Sequence, residues 1–226
     1  MKGKNDWQFN LLFGLGLALM AVALYMVFIY APTEKTMGDI QRIFYFHVSV
    51  AWVAFLAFFM VFVCSILYLW KREHKWDTIA RSSAGLGVLF TTLVLITGPI
   101  WARSAWGVWW IWEPRLTATL VLWFTYVVYL LVRSYAVEES RGARFSAVLG
   151  IVAFVNVPIV YLAIHIWQTH HPPELVSDLV GSMLATLLVS IAAFTLLYFI
   201  LLRERISLAN MEEAVSRLSQ ERSEQI

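Results

Sequence analysis

Six long apolar runs constrain the fold of this 226-residue chain more than any other feature of its sequence. A helix needs about 20 predominantly apolar residues to cross the hydrocarbon core of a bilayer, and each run is long enough. The spans are placed at residues 9–30, 43–70, 83–101, 116–132, 145–166 and 179–202. Because backbone polar groups must be paired inside a membrane, helices are the expected form. The sequence therefore predicts an all-α integral membrane protein with six transmembrane helices in one bundle.

Composition agrees with this class of protein. The chain is 60% hydrophobic and 14% charged, with a mean hydropathy of +0.70, which a soluble domain of this length does not need. The formal net charge of +2 is too small to indicate a nucleic-acid partner. The single cysteine, Cys64, lies in an apolar run and is expected to be a small buried side chain.

Lysine and arginine are distributed unevenly between the two sides of the predicted bundle. With both termini in the cytoplasm, thirteen of the 17 basic residues lie on the inner side. The outer side has only Lys35, Arg42, Arg103 and Arg115. By the positive-inside rule this asymmetry predicts cytoplasmic termini. The loop between the third and fourth spans then faces outward, to the periplasm or its equivalent.

The chain is divided into a spanning domain of residues 1–202 and a cytoplasmic tail of residues 203–226. In the tail, apolar side chains recur at helical spacing among charged residues: Leu208, Met211, Val215 and Leu218. Ser207 precedes them and is a suitable helix cap. A short amphipathic helix that begins there is predicted, resting on lipid or on a partner subunit.

The outer loop contains the sequence WARSAWGVWWIWEPR, residues 101–115, which holds five of the eleven tryptophans. Tryptophans near a bilayer edge usually form an interfacial belt, but five in one loop exceed what anchoring requires. Trp106, Trp109 and Trp110 share the i, i+3, i+4 spacing of one helical face, between the breakers Gly98-Pro99 and Pro114. This spacing predicts a short surface helix or turn with its indoles on one side. Such a face is either a dense anchor or a platform for a ligand.

Histidine is concentrated on the same outer side. His74 belongs to a charged inner loop and is expected to be solvated, whereas the other four are outer residues: His47, His165, His170 and His171. The adjacent pair near Glu174 and Asp178 allows a zinc site, although its spacing matches no common zinc pattern. Separate histidines beside an aromatic platform suit haem better, because imidazole is a standard axial ligand of haem iron. Arginine side chains can pair with the haem propionates.

Three segments resemble the CcmC family, haem-handling membrane proteins of c-type cytochrome biogenesis that carry a tryptophan-rich WWD signature. They are TGPIWARSAWGVWWIWEPRLTATLVLWFTYV, QRIFYFHVSVAW and VNVPIVYLAIHIWQTHHP, and the likeness covers most of the chain from Gln41 onward. Six spans also fit this family, whereas longer members of the WWD superfamily have more helices and additional haem histidines.

The resemblance implies that haem b binds transiently at the outer surface and is delivered to the haem chaperone CcmE. It implies that His47 and His171 are the axial iron ligands. His170 falls in a variable position and is a less suitable substitute for His171. The signature, at about residues 101–117, implies a set of haem contacts: Trp101, Arg103, Trp106, Gly107, Trp109, Trp110, Trp112, Glu113 and Arg115. Glu113 stands where the family usually has aspartate, and Ser49 where it often has proline, so a different helix start after His47 is expected.

The resemblance also implies partners, a location and a non-enzymatic role. The expected complex is an ABC transporter with the ATPase CcmA, the membrane subunit CcmB and the small single-span CcmD, in the bacterial inner membrane. The sequence contains no GxxxxGK[ST] motif, so any ATP hydrolysis is assigned to partner subunits. Two other functions are weighed against haem delivery: a haem-b electron-transfer subunit, which would place histidine pairs within the spans, and a scaffold anchored by its tryptophans.

Overall fold

The computed structural model describes residues 3–135, 139–167, 179 and 181–224. This part of the chain forms seven α-helices and no β-strand. The helices are α1 (Gly3–Tyr25), α2 (Ile43–Lys71), α3 (His74–Trp106), α4 (Pro114–Tyr135), α5 (Glu139–Phe154), α6 (Asn156–Ile166) and α7 (Gly181–Glu224). Six helical stretches are long and apolar enough to cross a membrane, with α5 and α6 together supplying one of them. The predicted six-span, all-α class is confirmed.

The third span is longer than the sequence indicated. We predicted that Gly98 and Pro99 would break the helix, but α3 passes through both and ends at Trp106. The prediction was wrong because a proline removes one hydrogen bond from the helical ladder without always ending the helix. The Leu95 carbonyl therefore receives no helical N–H from position 99. Gly107 ends the helix instead, with a φ of 78° and its N–H directed 3.1 Å to the Arg103 carbonyl.

The fifth span is interrupted near Asn156 and Pro158. Helix α5 ends at Phe154, and α6 begins two residues later. The Asn156 side-chain amide donates a 2.9 Å hydrogen bond to the Ala118 carbonyl of α4. Pro158 lies in the first turn of α6, where the missing N–H of a proline is tolerated. Helix α5 is thus separated from α6 at Val155, and Asn156 attaches the start of α6 to the neighbouring helix.

Helix α2 lies at the centre of the bundle and packs against α3, α5 and α7. Its Phe58 ring stacks on Tyr126 of α4 with the ring centroids 3.8 Å apart. A Cβ atom on Gly87 would lie 2.4 Å from a ring carbon of Phe58, so the missing side chain lets α2 and α3 approach closely. The Ser83 hydroxyl donates to the Ala57 carbonyl at 2.9 Å and lies 2.7 Å from the Tyr198 hydroxyl, which joins α2, α3 and α7.

An ion pair is buried at the end of the bundle opposite the tryptophan-rich loop. Asp77, in the first turn of α3, and Arg133, near the end of α4, are both buried. Arg133 donates from Nε at 3.1 Å and from Nη2 at 2.7 Å to one carboxylate oxygen of Asp77. The pair joins two helices that the intervening loop connects only at the other end.

The last helix continues without a break into the predicted tail. Helix α7 runs from Gly181 to Glu224 over 44 residues. We predicted that a separate helix begins at Ser207, and this prediction was wrong. The apolar spacing after Ser207 simply continues the preceding helix. His74 is exposed, as predicted, and its Nε2 lies 3.1 Å from a carboxylate oxygen of Glu213 in this helix. The division into a spanning domain and a cytoplasmic tail stays a prediction.

Candidate functional site

His47 is a half-buried residue in the second turn of α2. Helix α2 begins at Ile43 and passes through Ser49 without interruption, so the expected change of helix start after His47 does not occur. The Ser49 hydroxyl donates a 2.6 Å hydrogen bond to the Tyr45 carbonyl one turn earlier, as serine commonly does within helices. The imidazole is therefore carried by a regular helix at the end of the bundle that also bears the tryptophan-rich loop.

The first tryptophan of the motif packs inside the bundle. Trp101, in the last turns of α3, is only 4% exposed, and its ring centroid lies 5.9 Å from that of His47. Its indole also lies 6.0 Å from Phe44 and 6.3 Å from Trp106, measured between centroids. Trp101 thus packs beside His47 in the core. Because its ring is buried, it is not part of an accessible aromatic platform.

The loop between α3 and α4 is not helical. We predicted that Trp106, Trp109 and Trp110 would share one helical face, but α3 ends at Trp106 and the other two lie in extended or bent backbone. The spacing was misleading because Gly107 stops the helix before a further turn can form. The platform expected from these residues is therefore not a helical face.

The exposed part of this loop is still strongly aromatic. Trp109 is 60% exposed and Trp112 is 73% exposed, while Trp110 between them is partly buried. The rings of Trp110 and Trp112 meet edge to face with centroids 5.6 Å apart. Indole surface is costly to leave in water, so two such exposed rings indicate contact with an apolar partner, either lipid or a planar ligand.

Gly107 and Arg103 shape the loop. The positive φ of Gly107 is a conformation that glycine adopts without steric cost and other residues rarely adopt. Arg103 donates from its guanidinium to the Gly107 carbonyl, which closes the end of α3. Both residues were expected to contact the cofactor, which stays a prediction; in the structure they form the end of α3, from which the tryptophan-rich loop continues.

Glu113 marks the start of α4. Its carbonyl accepts a 3.0 Å hydrogen bond from the Thr117 N–H, and Pro114 occupies the first helical position. The residue is 6% exposed and directly precedes the N-terminus of α4, where a negative charge is favoured. Arg115, two positions later, is a basic residue of the same motif.

One pocket brings the two parts of the predicted site together. It is lined by His47 of α2, Trp110 of the loop and Arg115 of α4, together with Gly98 and Pro99 of α3. Its cavity volume is about 50 Å³, room for a few water molecules and far too little to enclose a porphyrin. A larger flat molecule can therefore enter the pocket only with its edge, while the rest of it lies across the surface.

The second predicted ligand lies outside the described residues. His170 and His171 fall in residues 168–178. The alternative zinc ligands Glu174 and Asp178 fall in the same segment. Within the part of the chain that the structure describes, no group of three or more histidine, cysteine, aspartate and glutamate side chains could hold a metal ion. The structure thus places one of the two predicted axial histidines.

Two residues that contact His47 were not identified from the sequence. The Thr97 hydroxyl oxygen lies 2.8 Å from Nδ1 of the imidazole. A Cβ atom on Gly98 would lie 3.3 Å from its Cε1 atom. Thr97 is 50 positions away along the chain, and a threonine within an apolar helix has no pattern that marks it. Only the packing of α3 against α2 could identify these contacts.

The bundle and this pocket define a multi-pass α-helical membrane protein with a histidine and an aromatic loop at one end. Comparison with known proteins identifies the family. A family model described as CcmC, Heme exporter protein C, matches residues 5–222, and the chain belongs to that family.

Individual relatives agree with the family match. The chain is 35% identical to Heme exporter protein C of Bradyrhizobium diazoefficiens over 185 residues, which cover 80% of this chain and 70% of the relative. It is 31% identical to Heme exporter protein C of Haemophilus influenzae over 210 residues, covering 90% and 85% of the two chains. A Marchantia polymorpha relative, a putative cytochrome c biosynthesis ccmC-like mitochondrial protein, is 29% identical over 192 residues, covering 85% and 82%.

Proposed function

We propose that the protein binds haem b at the outer end of its bundle and delivers it for the maturation of c-type cytochromes. The observation that carries this proposal is the pocket shared by His47, Trp110 and Arg115. These residues offer an iron ligand, apolar ring surface and a cation for a propionate, which are the contacts that a haem requires. Family membership supports the same cargo.

The haem lies across the surface rather than inside the protein. Because the pocket is far smaller than a porphyrin, the exposed rings of Trp109 and Trp112 are the surface available to cover the macrocycle. His47 is one axial ligand and His171 the other, with His170 as a substitute when His171 is lost. A ligand bound on a surface is released more readily than one enclosed in a core, which suits a protein that passes haem onward.

The receiving partner in this proposal is the haem chaperone CcmE. The protein acts in the bacterial inner membrane, with the haem site on the periplasmic side, beside the ABC-transporter subunits CcmA and CcmB and the small protein CcmD. Its own chemistry is binding and positioning, and the sequence has no phosphate-binding GxxxxGK[ST] motif, so ATP hydrolysis belongs to a partner.

Removing one exposed indole is expected to weaken haem binding without altering the iron ligands. An aromatic contact contributes about 1 kcal/mol, so Trp109→Ala and Trp112→Ala should each reduce haem affinity about five-fold. The measurement is a haem titration of the purified protein in detergent, followed by transfer to purified CcmE. Trp70→Ala is the matched control, because Trp70 is 78% exposed at the opposite end of α2. Equal haem affinity in all three variants would assign the tryptophans to membrane anchoring alone.

The orientation is tested by introduced cysteines. Ser104 lies at the tryptophan end of α3, whereas Ser140 is an exposed residue near the start of α5. In intact cells an impermeant thiol reagent should label Ser104→Cys and Ser177→Cys but not Ser140→Cys. The native Cys64 is 1% exposed, so the unmodified protein provides the blank. Labelling of Ser140→Cys from outside would reverse the proposed orientation.

A further inference from the structure

Three residues of α3 surround the imidazole of His47. Nδ1 lies 2.8 Å from the Thr97 hydroxyl, and the ring centroid lies 5.9 Å from that of Trp101. Between them, the position of a Cβ on Gly98 would be only 3.3 Å from Cε1 of the imidazole, so this glycine allows the ring to lie close against the helix backbone. The imidazole therefore lies against the same short stretch of α3 at Thr97, Gly98 and Trp101.

The hydrogen bonds of Thr97 favour one position of the imidazole proton. The Thr97 hydroxyl oxygen is also 2.7 Å from the Leu93 carbonyl, one turn earlier in α3. A hydroxyl has one proton to donate. If Thr97 donates to Leu93 and accepts from a protonated Nδ1, both hydrogen bonds form. If Thr97 donates to Nδ1, only one forms, and each bond contributes about 1 kcal/mol.

We infer that Thr97 is a positioning residue that keeps neutral His47 protonated on Nδ1 and so places the lone pair on Nε2. This inference rests on the proposed function in one respect, that Nε2 is the atom presented to haem iron. An imidazole coordinates through a nitrogen that carries a lone pair, and a partner that accepts the other N–H fixes the tautomer and the ring orientation. Accepting the hydrogen bond from Nδ1–H also makes Nε2 a stronger donor to the metal.

The tautomer can be measured without haem. Side-chain nitrogen NMR of the ¹⁵N-histidine-labelled, haem-free protein in detergent, at a pH where His47 is neutral, distinguishes protonated Nδ1 from protonated Nε2. His47→Gln assigns the signals by removing them. Wild-type protein and Thr97→Ser, which keeps the hydroxyl, should show protonated Nδ1. Thr97→Val, which has a similar shape without the hydroxyl, should show a shift of the His47 population toward protonated Nε2.

Haem binding provides the second measurement. Outer-shell partners of metal-bound histidines contribute about 10–100-fold to metal affinity, so Thr97→Val should weaken haem binding about ten-fold and raise the reduction potential of the bound iron. Thr97→Ser should retain the wild-type affinity and potential. Thr125→Val is the matched control, because the Thr125 hydroxyl makes the same type of bond, 2.7 Å to the Val121 carbonyl, within α4.

The two measurements separate this inference from the proposed function. If Thr97→Val keeps protonated Nδ1 together with wild-type haem affinity and potential, the positioning role is overturned while haem binding stands. If Thr125→Val weakens haem binding as much as Thr97→Val, the effect is a general loss of packing and the inference is again overturned. If His47→Gln leaves the haem spectrum and affinity unchanged, the proposed ligand is overturned, even where the tautomer in haem-free protein is as expected.

Discussion

Replacing His47 by alanine is expected to abolish normal haem binding. Outer-shell partners of a metal-bound histidine already contribute about 10–100-fold, so removing the ligand itself should reduce haem affinity by at least about 100-fold. Any haem that remains should change from a six-coordinate to a five-coordinate absorption spectrum, and delivery to CcmE should stop. Haem titration, spectra of the purified protein and the transfer assay measure these three effects.

The controls for this substitution come from the other histidines. His74→Ala changes a histidine at the opposite end of the bundle, beside Glu213, and should leave the haem spectrum unchanged. His171→Ala should disturb the spectrum as His47→Ala does, whereas His170→Ala should have a much smaller effect. A His47→Ala protein with an unchanged six-coordinate spectrum and full delivery would remove the central claim and leave the tryptophan loop as a membrane anchor.

Breaking the buried ion pair is expected to have the largest effect on stability. Removing one partner of a buried pair leaves an uncompensated charge, which typically costs about 3–5 kcal/mol. Asp77 and Arg133 are 3% and 8% exposed, so Asp77→Leu or Arg133→Met should each lower the free energy of unfolding in detergent by that amount. Their positions at the start of α3 and near the end of α4 also match the helix dipoles, which adds to the loss.

A double variant distinguishes the pair from ordinary packing. Apolar residues of similar volume often replace a buried ion pair at little net cost, so Asp77→Leu combined with Arg133→Met should recover most of the lost stability. The matched control is Arg217→Ala, which removes a surface pair with Glu213. Its side chains are 71% and 30% exposed, and the expected cost is below about 1 kcal/mol. Additive losses in the double variant would show that the two charges do not stabilise each other.

The features of this protein that were predicted correctly depend on short stretches of sequence. A run of apolar residues long enough to span a bilayer is itself the physical requirement for a transmembrane helix, so all six spans were predicted. Burial of Cys64 within an apolar run is also confirmed.

Predictions from local sequence patterns were wrong where other residues determine the backbone conformation. Trp106, Trp109 and Trp110 have helical spacing, but Gly107 adopts a left-handed conformation and stops α3 before that face can form. Gly98 and Pro99 were interpreted as helix breakers, yet α3 continues past them and packs against α2 through Trp101. In the first case the conformation of one glycine overrides the helical spacing. In the second case the packing of α3 against α2 outweighs the hydrogen bond that the proline removes.

The sequence by itself determined the class of protein, its spans and the tryptophan-rich motif, because these depend on composition and short-range order. Tertiary structure alone decided which motif residues are exposed and which are buried, and which distant side chains meet. Thr97 is 50 positions from His47, Arg133 is 56 from Asp77, and Glu213 is 139 from His74. Hydrogen bonds across such separations depend on how whole helices pack, which no local pattern of residues specifies.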